Sequence, residues 1–126
     1  MCRHFVPFWA SEDRWFYTNI SSDWKRATAY AMGEKWDAAA NIWQSLFDST
    51  TNKKRKAHLA SNLALWYEIA GNFAKAIEHA ATAFSIFQEI TNEDDQQYQK
   101  QKIYLELLIK RLENDHKLSE QLGEKF

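Results

Sequence analysis

Apolar positions between Ala57 and Phe87 follow a helical period on both sides of one glycine. Ala60, Leu63, Ala64 and Tyr67 recur at the i, i+3, i+4, i+7 spacing of a single helix face. Beyond Gly71, the residues Phe73, Ala76, Ile77, Ala80, Ala83, Phe84 and Phe87 repeat that spacing. Gly71 can adopt the left-handed conformation that ends a helix, and Asn72 can cap the next through its side-chain oxygen. Ala64, Ala76, Ala80 and Ala83 allow two helix backbones to approach closely, while Tyr67 and Phe73 fill the turn. The pattern predicts a tight antiparallel helical hairpin.

Shifting the chain by 37 residues tests for a second copy. Tyr67 falls on Tyr30, Phe73 on Trp36 and Ala76 on Ala39, while Ala80 and Ala83 fall on the larger Trp43 and Leu46. Gly71 falls on Glu34, with Gly33 one residue earlier. A first, less regular hairpin is predicted, with helices over about Ser22–Met32 and Lys35–Asp48 and a polar link before Lys53. A forward shift returns only Tyr104. A fifth helix is expected after caps at Thr91 and Asn92, running to about Leu118 before the end frays. Tyr98, Leu105, Leu108, Ile109 and Leu112 would form its apolar stripe, and its polar remainder suits a terminal cap. Glu93, Asp94 and Asp95 suit its N-terminal dipole. Upstream, Pro7 breaks any early helix, and Ser11 is expected to cap a short one through Arg14 to Tyr17. The density of aromatics there predicts packing on the first repeat or on a neighbour outside this chain. The expected fold is all-α with no sheet: an aromatic segment over 1–20, two hairpins over 21–90, and a capping helix with a frayed tail over 91–126.

At Asn62, Leu63, Ala64, Tyr67, Gly71, Phe73, Ala76, Ile77, Ala80 and Ala83 the sequence resembles a tetratricopeptide repeat. It departs from that pattern at Ala64, where glycine is commoner, and in having no proline after Phe87. The resemblance implies an α-α superhelix of two repeats whose first helices line a concave face. It also implies that Asn62 holds a peptide backbone, since an amide both donates and accepts. A narrower similarity, carried by Pro7-Phe8-Trp9, Arg14, Tyr17, Trp36-Asp37-Ala38-Ala39 and Trp43, is to the C-terminal part of uncharacterised bacterial envelope proteins with such repeats. It implies a secreted or lipid-anchored protein, with this chain as the tail of a longer one and the export signal outside it.

Composition narrows the function. With 126 residues, 45% hydrophobic, one proline and three glycines, the chain reads as a single folded helical domain. A net charge of −1 gives no bulk electrostatic case for nucleic acid. A single cysteine, Cys2, excludes an internal disulfide. No apolar run suits a membrane span. His4, His58, His79 and His116 lack metal-ligand spacing, Cys2 beside His4 reads as chance, and no glycine-rich phosphate loop is present. An enzyme is not expected, nor a cofactor or metal. The run Lys53–Lys56 reads as a solvated face, with a docking patch for an acidic partner as the sharper alternative.

What remains is a surface. The expected partner-binding residues on the concave face are Trp24, Lys25, Thr28, His58, Asn62, Leu65 and Glu68. Lys25 would meet a carboxylate and Trp24 an apolar anchor. The leading reading is a non-catalytic protein–protein interaction scaffold that binds a protein or peptide. The alternatives are a glycan-binding accessory protein of the cell envelope using exposed Trp9, Trp15 or Trp24, and a spacer that contacts another domain or a second copy.

Overall fold

A computed structural model describes the backbone of residues 8–11 and 14–124 and the side chains of residues 15–114 and of His116. Cys2, His4, Pro7 and the side chain of Trp9 lie outside the described residues. Two short strands, β1 (Phe8–Ser11) and β2 (Arg14–Phe16), precede five helices: α1 (Ser22–Met32), α2 (Trp36–Ser49), α3 (Lys53–Ile69), α4 (Phe73–Ile90) and α5 (Gln96–Glu124).

The helices dominate, and the architecture is all-α apart from the strand pair. The strands correct two expectations, the absence of any sheet and a short helix through Arg14 to Tyr17. They pair antiparallel, Phe8 opposite Phe16 and Trp9 opposite Trp15, with an irregularity between Trp9 and Ser11. Aromatic side chains fit a pleated, half-buried surface, and here that preference outweighs the cap signal of Ser11.

Both interhelical turns close the same way. The N–H of Lys35 bonds the carbonyl of Tyr30, and that of Asn72 bonds the carbonyl of Tyr67. Glu34 to Ala31 matches Gly71 to Glu68, and Gly33 to Ala29 matches Ala70 to Trp66. Each pair is related by the 37-residue shift. Gly71 sits at φ 82° and Glu34 at φ 60°, so the glutamate takes the left-handed position that glycine occupies in the second turn. Asn72 caps α4 by accepting from the N–H of Lys75, whereas Lys35 at the same place makes no side-chain cap.

Packing follows residue size. Ala64, Ala76, Ala80 and Ala83 are all buried. Ala64, Ala76 and Ala80 form one core cluster with Tyr104 and Leu108 of α5. On α2, Trp43 stands 37 residues before Ala80, and its bulk meets Phe16 of β2, ring centroids 5.7 Å apart.

Helix α5 departs from expectation in three respects. It runs to Glu124 rather than fraying from Ser119. Asp95 caps it, its carboxylate accepting from the N–H groups of Gln97 and Tyr98. Its buried face is Gln97, Gln101, Tyr104 and Leu108, while Ile109 is 40% exposed. The polar groups opposite it on α3, His58 and Glu68, draw a partly polar face inward.

Candidate functional site

Helices α1 and α3 carry every expected partner-binding residue. Between them lies not an open groove but the chain's own segment Trp15–Tyr17. Asn62, with no exposed surface, grips it by the backbone. Its Oδ1 accepts from the N–H of Tyr17 at 2.7 Å, and its Nδ2 donates to the Tyr17 carbonyl at 2.9 Å. The indole N–H of Trp24 donates to the same carbonyl at 3.0 Å. Tyr17, the residue just after β2, is thus held at both of its backbone polar groups.

The side chains of the segment fill the space around that grip. The Tyr17 ring stacks on His58, centroids 4.0 Å apart and 10° from parallel. Trp15 meets Tyr17 and Tyr104 edge-on, and the ammonium of Lys100 lies 5.0 Å above its ring. Phe16 points the other way, to Trp36 and Trp43.

The expected residues therefore divide. Trp24, Asn62 and His58 converge on Tyr17. Leu65 is buried in the core. The Thr28 hydroxyl donates to the Trp24 carbonyl at 3.0 Å. Lys25 is exposed and stands apart from the convergence. Glu68, 6% exposed, accepts from the Tyr104 hydroxyl at 2.8 Å and pairs with Arg111. These contacts change the expectation for Asn62, which sits inside the fold and not on a solvent-facing groove. They also remove Trp24 from the residues able to stack on a sugar, because it is buried.

Burial sets the electrostatics. It pushes the His58 imidazole down from 6.5 to about 4, an effect that the hydrogen bond to Gln97 opposes and the charge of Lys54 adds to. His58 Nε2 and Gln97 Oε1 lie 2.6 Å apart, so with that oxygen as acceptor Nε2 carries the hydrogen. Burial, helped by the negative charge of Asp95, pushes the Tyr17 phenol well above its ordinary value. The Tyr17 hydroxyl and both amide atoms of Gln101 are buried with no hydrogen-bond partner among the described residues.

The basic run at the start of α3 is partly committed within the fold. Lys53 pairs with Glu89. Lys56 donates to the Phe47 carbonyl and sits 4.6 Å above its ring. Among the described residues, no group of three His, Cys, Asp or Glu is placed to hold a metal ion, and no helix is long and apolar enough to cross a membrane.

A family model described as "Domain of unknown function (DUF6340)" matches residues 25–110, well over half of the chain. The chain belongs to the DUF6340 family. The matched stretch holds Asn62, His58 and Glu68, whereas Trp15–Tyr17 and Trp24 lie upstream of it. No curated protein and no solved structure matches the chain.

Sequence reasoning missed the segment that fills the site. Its signal was the aromatic density of Trp15, Phe16 and Tyr17, which indicated burial without indicating where.

Proposed function

We propose that this DUF6340 protein is a non-catalytic interaction scaffold of two tetratricopeptide-like hairpins whose inner face holds an extended chain segment by its backbone. The observation that carries the reading is the double hydrogen bond from the Asn62 amide to the N–H and carbonyl of Tyr17. An amide used this way reads no side chain, so it suits any extended backbone. Specificity falls to the rings beside it, which suit aromatic side chains at successive positions. The repeat reading is supported by the two turns, whose hydrogen bonds coincide under a 37-residue shift. In the free chain Trp15–Tyr17 occupies the site, and a partner supplies an extended aromatic segment in its place.

The test uses a labelled peptide spanning residues 14–19 and the full chain. Against the wild type it competes with a tethered copy of itself, whose effective concentration reaches the millimolar range for a short linker. A full-length Phe16→Ala/Tyr17→Ala variant, shown by circular dichroism to retain its helices, is expected to bind the peptide at least about tenfold more tightly. Adding Asn62→Ala is expected to abolish that gain. Equal binding by wild type and variant, or none by either, would refute the reading.

A further inference from the structure

Away from the Asn62 grip, the two equivalent turns come together around a second cleft. It has a volume of about 220 Å³ and is lined by Glu34, Trp36 and Asp37 of the first turn and Trp66, Ile69 and Ala70 of the second. That volume exceeds the roughly 150 Å³ cavity known to accommodate a benzene ring. Both indoles are half-buried, leaving part of each in the cleft. Their orientations are fixed. Trp36 meets Phe16 edge-on, with ring planes 90° apart. Trp66 donates its indole N–H to Asp37 Oδ1 at 2.8 Å, a bond that ties one turn to the other. Glu34 is brought to the cleft by its left-handed backbone at φ 60°, a conformation uncommon outside glycine.

The six lining residues thus include two tryptophans and two carboxylates but no lysine or arginine. Lys35 lies between Glu34 and Trp36 in sequence but does not line the cleft. Indole faces carry negative quadrupole potential and attract cations, most strongly where these shed little hydration. Two carboxylates, both from the first turn, add attraction of the same sign. A bare ammonium keeps its water, whereas an alkylated ammonium offers both charge and an apolar surface to the rings. From this arrangement we infer that the cleft between the two turns is a binding site for an alkylated ammonium group, held between Trp36 and Trp66 and neutralised by Glu34 and Asp37. The site shares no residue with the Asn62 grip, although Phe16 of the gripped segment packs against Trp36.

The test is a titration of the full-length ¹⁵N-labelled protein with tetramethylammonium chloride, against sodium chloride at matched ionic strength. The readout is the set of indole N–H resonances. Those of Trp36 and Trp66 are expected to move, while those of the buried Trp24 and Trp43 stay in place. Choline is expected to bind at least about tenfold more tightly than its neutral isostere 3,3-dimethylbutan-1-ol, a ratio within the range of a partly desolvated cation–π contact. The double variant Glu34→Gln/Asp37→Asn, in which the asparagine keeps an acceptor for Trp66, is expected to lose about tenfold in choline affinity. Choline and Nε-trimethyllysine, titrated side by side, distinguish a headgroup from a modified side chain as the source, and binding of either supports the site. Equal binding of choline and the neutral alcohol would overturn the inference. So would shifts reproduced by sodium chloride, or shifts caused by glucose but by none of the cations.

Discussion

Replacing Asn62 by alanine tests the central contact most directly. The change removes the acceptor of the Tyr17 N–H and one of two donors to its carbonyl. The N–H is then buried and unpaired, at about 1–3 kcal/mol. The carbonyl keeps the Trp24 indole and loses only a net contribution of about 0.5–1.5 kcal/mol. The expected destabilisation is therefore about 1.5–4.5 kcal/mol, a large part of the ~5–15 kcal/mol available to a small domain. On a solvent-facing groove the same asparagine would contribute little to folding, and the substitution would leave stability nearly intact. Urea denaturation followed by tryptophan fluorescence measures the change. Trp24→Phe completes a cycle, because the double variant strips both donors from one buried carbonyl. Its cost is expected to exceed the sum of the singles by about 0.5–3 kcal/mol, the range for residues sharing a partner. A loss below about 0.5 kcal/mol for Asn62→Ala would refute the reasoning, since that is the range of featureless surface sites.

Three further outcomes are expected. Tyr17→Phe removes a buried hydroxyl without a partner among the described residues, so its urea midpoint should hold or rise by up to about 1 kcal/mol equivalent. Ala76→Leu adds volume where α3, α4 and α5 meet, and should cost about 1–3 kcal/mol by overpacking, read as a lower denaturation midpoint. His58 has a folded value of about 4 against 6.5 unfolded, so the unfolded chain binds the proton first. Its contribution is complete above pH 6.5 and declines by at most about 3 kcal/mol as the pH falls from 6.5 to 4. Unfolding curves at pH 7 and pH 4.5 should show this slope in the wild type and lose it in His58→Phe.

The helices were legible in the sequence because their signals are local. The limits of α1 and α4 follow from spacing and from the turn residues beside them, and the 37-residue shift even pairs Glu34 with Gly71. The face of α5 was not legible, because apolar spacing ranks Ile109 above Gln97 and Gln101. Distant partners draw that face inward, His58 bonding Gln97 and Glu68 bonding Tyr104, while Gln101 is buried with no hydrogen-bond partner among the described residues. The same holds for Asn62. A polar residue at a helical position shows that it can bond in both directions, but its partner lies 45 residues away. The strand pair stayed hidden because three aromatics in a row, Trp15 to Tyr17, carry no clean alternation, and Ser11 reads equally as a cap.

That separation of 45 residues also bears on how the chain is made. Hairpin helices form within microseconds once their own residues are free, but Trp15–Tyr17 has no seat until α3 exists. At synthesis rates of roughly 5–20 residues per second, the interval between the emergence of Tyr17 and that of Asn62 is about 2–9 s. Throughout it three consecutive aromatic residues face solvent on a nascent chain, longer by orders of magnitude than any local folding step. The segment that packs against α1 and α3 in the finished protein is thus an exposed apolar stretch during translation.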